Sequence, residues 1–338
     1  MTSSPEPDPT RVLECYPAWS RPLGRVEALG NAGGLSGARL WRFVNARGEH
    51  VLRGWPTPGP SREQIERVHG WLARASALDF IPTPLAALDG RTVVEASGRL
   101  FEMSRWMPGR SEPCPPRDDR LRAGFVALAA FHERLAEPVA RAASPGIRKR
   151  RNEVDDLTLF RLDQVEGALA GCASASGRAL ATRWLEAARR AARGVARSLR
   201  NATLLETALQ QCLRDARAEH LLFDDGGRVT GLVDFGAMGI DSIAADVARL
   251  LGEWLEPGDH ERRALALDAY ARVRRLELDE LRLIEAFESA NALLNGARWA
   301  GWLVDPDRPR FDREDAIETG LARGALRAEY LARVEELE

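Results

Sequence analysis

Residues 212–246 read Cys-Leu-Arg-Asp-Ala-Arg-Ala-Glu-His-Leu-Leu-Phe, then Asp-Asp-Gly-Gly-Arg-Val-Thr-Gly-Leu-Val-Asp-Phe-Gly, and run on to Asp246. The spacing predicts a strand over 220–223, a turn at Asp224-Asp225-Gly226-Gly227 and a second strand over 229–234. Asp-Gly-Gly between two apolar runs signals a hairpin, because aspartate and glycine tolerate the positive φ of tight turns. Folding this ribbon about residue 227 should bring its open ends together, with Asp215 and His220 on one side and Asp234 on the other. Gathering such groups at the end of an apolar ribbon costs free energy, so the constellation points to chemistry.

The rest of the chain bounds what that chemistry can be. A length of 338 residues accommodates two lobes and a large core. With 45% hydrophobic and 29% charged residues, the composition is that of a folded chain. A formal net charge of -2 offers no global attraction to nucleic acid or to a membrane surface, and neither is expected as a partner. Lys149 is the only lysine, which constrains any mechanism that calls for one. Cys15, Cys114, Cys172 and Cys212 lack metal-type pair spacing and make no disulfide scaffold, so a cytoplasmic setting is the simplest fit. The start of the chain carries no apolar signal core, and no run of about 20 apolar residues follows.

In chain order, polar and proline-bearing residues 1–10 read as disordered. Between strand-like flanks, 24–44 holds a loop with Gly30, Gly33, Gly34, Ser36 and Gly37, small residues whose backbone N–H groups could approach phosphates. A strand over 50–54 carries Arg53; a helix follows from the N-cap Ser61 to Ala75, and strands are expected over 93–96 and 100–106. Met107-Pro108-Gly109 breaks the chain, and helical periodicity dominates afterwards: 120–135, 154–170, 178–200, then 241–255, 258–274, 277–303 and 313–336. Residues 141–151 read as a basic connector. The fold class is therefore α+β, with an N-lobe over 11–106 built on an antiparallel sheet and one helix, and a mostly helical lobe over 107–338 that carries the hairpin.

This arrangement resembles the protein-kinase-like fold, and more specifically the aminoglycoside phosphotransferase family, relatives of choline and homoserine kinases. The specific part lies in Arg214-Asp215-Ala216-Arg217-Ala218-Glu219-His220 and Val233-Asp234-Phe235-Gly236, which occupy the family's catalytic-loop and Asp-Phe-Gly-like positions. The resemblance implies ATP and Mg²⁺ as cofactors and a small-molecule hydroxyl as phosphoryl acceptor, in a monomer or homodimer. It implies Asp215 as the group that orients the hydroxyl and accepts its proton, with Asp234 and His220 as metal ligands. It implies that Gly33, Gly34, Ser36 and Gly37 cover the nucleotide, that Arg53 holds its phosphates, and that Glu66 (or Glu63) partners Arg53 from the helix. Ser104 then lines the adenine pocket, Arg105 and Met107 supply hinge contacts, Asp246 braces the catalytic loop, and His132 is a core histidine beside it.

Three positions depart from the pattern. His220 stands where the family has asparagine, a softer ligand that extends the metal choice to Mn²⁺. Arg53 replaces a lysine, and Leu213-Arg214 replaces His-Gly before Asp215. An active small-molecule kinase is favoured over a nucleotide-binding pseudokinase scaffold, since a scaffold needs neither Asp215 nor Asp234. A metal-dependent hydrolase using Asp215, His220 and Asp234 leaves the glycine loop unexplained. Glu253, Glu256, Asp259 and Glu261 would suit a cationic acceptor, although exposed helix ends often carry such residues. Trp254, Trp299 and Trp302 read as core before pocket.

Overall fold

The computed structural model describes residues 9–31, 37–137, 140–305 and 315–337. The chain forms two compact units, one comprising Met1–Ser111 with Glu219–Gly236, the other Glu112–Ala218 with Ala237–Glu338.

The first unit opens with α1 (Pro9–Glu14), so residues 9 and 10, read as disordered, are helical. Proline is tolerated in a first helical turn, where its missing N–H has no bond to make. Five antiparallel strands follow, β1 (Glu27–Gly30), β2 (Arg39–Asn45), β3 (Gly48–Gly54), β4 (Val94–Ala96) and β5 (Arg99–Arg105), in the order β1-β2-β3-β5-β4. Alternation sets their faces: Trp41, Phe43, Leu52, Phe101 and Met103 turn to a core closed by Val12, Leu13 and Tyr16. Arg53 and Glu102 consequently share the opposite face. Between β3 and β4 lies α2 (Arg62–Arg74), begun by a capping box in which Ser61 and Gln64 satisfy each other's backbone N–H groups.

The second unit is helical apart from a three-stranded sheet. It contains α3 (Asp118–Arg134), β6 (Ala140–Ala142), α4 (Pro145–Asp156), α5 (Leu162–Leu169), α6 (Ala175–Ala202) and β7 (Thr207–Cys212). The stretch 141–151, read as a connector, is instead a strand and the start of α4. Ser144 accepts the N–H of Ile147 as N-cap and Pro145 follows, a start signal masked by the basic run behind it. A wide π turn, Leu157–Arg161, separates α4 from α5.

The chain then returns to the first unit for the hairpin β8 (Leu221–Phe223) and β9 (Val229–Leu232). The sequence reading assigned these residues to the helical lobe. They join the first unit because Phe223 exchanges backbone hydrogen bonds with Arg110 and the Leu232 N–H donates to the Phe80 carbonyl. Back in the second unit, β10 (Gly239–Asp241) pairs with β7, followed by α7 (Ala244–Trp254), α8 (His260–Ala271), α9 (Leu278–Val304) and α10 (Ala316–Leu337). Trp254 is a buried core residue, and α6, α9 and α10 pack together. Among the described residues no helix is long and apolar enough to cross a membrane.

Candidate active site

In the first unit, Arg53 of β3 lies directly opposite Glu102 of β5 in register. Its Nη1 is 3.7 Å from Glu102 Oε1 and 3.7 Å from Asp234 Oδ1. The other Glu102 oxygen is 2.8 Å from His69 Nε2 on α2, and His69 Nδ1 is 2.7 Å from Thr92 Oγ1. Burial alone would raise the Glu102 carboxyl, but the His69 hydrogen bond and the Arg53 charge hold it below the ordinary glutamate range. The partner of Arg53 is thus a cross-strand glutamate, and among the described residues neither expected helix partner is ion-paired with it. Glu66 pairs with Arg62 at 3.8 Å, and Glu63 lies in the exposed first turn of α2. The physical reason is register, since neighbouring strands bring Cβ atoms within about 5 Å without help from a helix.

His220 ends a short 3-10 turn over Ala218–His220 and is buried. Its carbonyl accepts the Val233 N–H at 2.9 Å, and its Nε2 lies 3.6 Å from Asp234 Oδ2. β9 stops at Leu232, short of the expected 234. Asp234 then adopts φ +61°, a conformation aspartate tolerates better than most side chains, and remains half exposed. The structure therefore brings Arg53, His220 and Asp234 together. Gly33, Gly34 and Ser36 of the glycine loop lie outside the described residues; Gly37 has φ +71°. Ser104 shares the face of Glu102 and forms a bridge with Pro84. Arg105 points to the other face, lining an open groove of about 260 Å³ with Trp19, Arg47 and His50. Met107 is buried close over Gly231.

In the second unit, the carboxylate of Asp246 on α7 is fully buried. Its Oδ2 accepts the backbone N–H of Leu213 at 2.6 Å and its Oδ1 that of Arg214 at 2.6 Å. Asp246 Oδ2 also lies 3.0 Å from His132 Nε2, and His132 Nδ1 is 2.7 Å from the Tyr270 hydroxyl. Held by these bonds, Arg214 takes φ +63°, left-handed backbone at the residue before Asp215. Asp215 is itself part-exposed, with Arg249 Nε 3.4 Å from its Oδ1. His132, Cys212 and Asp246 lie close enough to hold a metal ion. Their chemistry fits a structural cluster better: both imidazole nitrogens and both carboxylate oxygens are occupied, and burial, then the charges of Asp246 and Asp241, push the Cys212 thiol up.

A sequence model described as the phosphotransferase enzyme family matches residues 27–284, most of the chain. The chain belongs to this family. Among curated proteins, none matches it. Solved structures with the same fold include an aminoglycoside phosphotransferase from Alicyclobacillus acidocaldarius, 16% identical, TM-score 0.63, covering 99% of this chain and 96% of that one. A microcompartment-associated aminopropanol kinase is 18% identical at TM-score 0.62, covering 98% and 99%. An amicoumacin kinase, in complex with AMP-PNP, Ca²⁺ and amicoumacin, is 13% identical at TM-score 0.61, covering 98% and 94%. Within the family's pattern, the left-handed backbone at Arg214 explains the glycine usual at that position, which adopts positive φ without cost. Sequence reasoning missed Glu102, His69 and Arg249. Period-two alternation with Phe101 and Met103 puts Glu102 on the opposite face of β5, a signal that could have found it.

Proposed function

We propose that this phosphotransferase-family chain transfers the γ-phosphoryl group of ATP to a hydroxyl of a small molecule. Asp215 orients that hydroxyl and takes its proton as the oxygen attacks phosphorus and the bond to the β-phosphate oxygen breaks. The observation that carries this reading is the use of a fully buried carboxylate, Asp246, to hold the backbone of residues 213 and 214 and so set the residue before Asp215. Desolvating a carboxylate is costly, and here both of its oxygens accept backbone N–H groups of one loop, with Oδ2 also facing His132.

For the cation, Asp234 offers a half-exposed carboxylate and His220 a neighbouring imidazole, a donor set that fits a divalent metal such as Mg²⁺ or Mn²⁺. When bound, that metal would offset charge on the transferring phosphates. Arg53 would meet the nucleotide phosphates, kept in place by Glu102 as lysine is by glutamate in kinases. The AMP-PNP and Ca²⁺ held by the similar amicoumacin kinase are consistent with these roles.

One observation favours the alternative of a nucleotide-binding pseudokinase. Both oxygens of Asp234 already face cation-capable side chains, Arg53 and His220, with which a metal must compete. Two measurements separate the readings: thermal shift with ATP and Mg²⁺ or Mn²⁺, and phosphoryl transfer by wild type and Asp215→Asn. Transfer in wild type that the variant loses while keeping nucleotide binding supports the enzyme; binding without transfer in either supports the scaffold. No nucleotide binding under any metal refutes both.

A further inference from the structure

β3 ends at Gly54, but the Trp55 N–H still donates to the Leu100 carbonyl at 2.9 Å, so pairing with β5 continues one residue further. Alternation then puts Trp55 on the side of the sheet that carries Arg53. The Arg53 guanidinium carbon lies over the Trp55 ring, 5.2 Å from its centroid. The indole is 9% exposed and packs with Ile65 of α2 and with Val93. Its edge also faces Gly236, where a Cβ would stand 3.3 Å from the ring and 3.5 Å from Asp234 Oδ1. Contacts on these sides leave the ring little room to turn.

The carboxylates around Arg53 hold it loosely by comparison. Glu102 and Asp234 each lie 3.7 Å from its Nη1, well beyond the roughly 2.7–2.9 Å of a charge-assisted hydrogen bond. Among the described residues the guanidinium makes no hydrogen bond, so neither acid fixes its orientation. A cation within about 6 Å of an indole face is attracted by the ring's quadrupole, and a flat guanidinium can also lie along the ring. An ammonium in the same place would be a compact point charge, with no plane to rest on the indole.

Resting on the phosphotransfer reading, we propose that Trp55 is a positioning residue: its ring sets the plane of Arg53 so that the guanidinium fork meets the nucleotide phosphates, which makes the site one built for arginine and not for lysine. The fork can pair with a phosphate through two parallel hydrogen bonds, and that pairing depends on orientation in a way that a point charge does not.

The test is titration calorimetry of the full chain with ATP–Mg²⁺ and ATP–Mn²⁺, on wild type, Arg53→Lys, Arg53→Gln, Trp55→Phe, Trp55→Leu and Arg47→Lys, each checked by circular dichroism for a native fold. Arg47 lies 3.7 Å over the Trp19 ring and controls for an arginine–tryptophan stack elsewhere in the first unit. Arg53→Lys should weaken ATP binding roughly tenfold or more, nearly as far as Arg53→Gln. Trp55→Leu should weaken it about fivefold or more, whereas Trp55→Phe, which keeps a ring face and drops the indole N–H, should stay within about threefold of wild type. Adding Trp55→Leu to Arg53→Lys should cost no more than about twofold beyond Arg53→Lys alone, because the two residues act through one contact. Arg47→Lys should stay within about twofold of wild type. Full ATP affinity in Arg53→Lys, a Trp55→Phe variant as weak as Trp55→Leu, or additive losses in the double variant would overturn the proposal. If Trp55→Leu does not fold, Arg53→Lys against Arg53→Gln, with Trp55→Phe, decides. ATP binding with this dependence but without phosphoryl transfer would refute the phosphotransfer reading and leave the positioning role standing; no ATP binding by wild type under either metal would refute both.

Discussion

Arg214 gives a direct measure of what the loop before Asp215 costs the fold. Its φ of +63° is left-handed backbone, which brings Cβ against the following carbonyl and costs a non-glycine residue roughly 1–2 kcal/mol. Replacing it with glycine removes that strain, but adds backbone freedom to the unfolded chain worth roughly 0.5–1 kcal/mol. Its guanidinium lies against Gly239 and opposes the upward push that burial gives the Asp241 carboxyl. Arg214→Ala and Arg214→Gly lose that contact equally, so their difference isolates the backbone. The glycine variant should be more stable than the alanine variant by about 0.5–1 kcal/mol, or about 1–4 °C in Tm for a unit of this size. Urea unfolding followed by far-ultraviolet circular dichroism, which reports mainly the helical second unit, is the assay. Because Asp246 holds the main chain at this position, Arg214→Gly should keep its phosphoryl-transfer rate. An alanine variant as stable as the glycine variant would refute the account of strain at this residue.

Three further perturbations test other parts of the fold and site. Asp246→Ala would leave the N–H groups of Leu213 and Arg214 and a nitrogen of His132 without their buried acceptor; roughly 3–5 kcal/mol of stability should be lost in urea unfolding, with any residual transfer rate down about 100-fold. Glu102→Gln should destabilise by roughly 1.5–3 kcal/mol near neutral pH. The folded Glu102 carboxyl is held below its unfolded value of 4.5, so its contribution is present above that pH and is lost as pH falls through the lower folded value; the gap between wild type and Glu102→Gln in pH-dependent unfolding should close on acidification. Gly324→Ala places a Cβ 2.7 Å from the Gly296 backbone where α10 crosses α9 and should cost roughly 1–3 kcal/mol, whereas Gly301→Ala, with open space around it, should gain about 0.5–1 kcal/mol in the same thermal unfolding measurement.

Much of the framework was legible because local rules agree with the tertiary fold. Ser61 announced α2 to within a residue, and the strands read over 50–54 and 100–106 fall on β3 and β5. The hairpin turn was read at the correct glycines, and the expected loop brace is supplied by Asp246. Less was legible where one signal masked another. The basic run after Ser144 hid a capped helix, and Pro9 read as disorder although it begins a turn of helix. The resemblance offered Glu66 (or Glu63) on the helix as the partner of Arg53, whereas the register that sets Glu102 opposite Arg53 joins residues 49 positions apart.

The sequence by itself determined much of the order of elements and carried the resemblance to the family, because propensity, capping and motif spacing act over a few residues. Tertiary structure decided which charges meet. It gave Arg53 to Glu102 and Asp234, spent Glu253 and Glu256 on arginines, and set Arg249 of α7 beside Asp215. Coulomb interactions depend on distance and burial, which linear spacing does not encode.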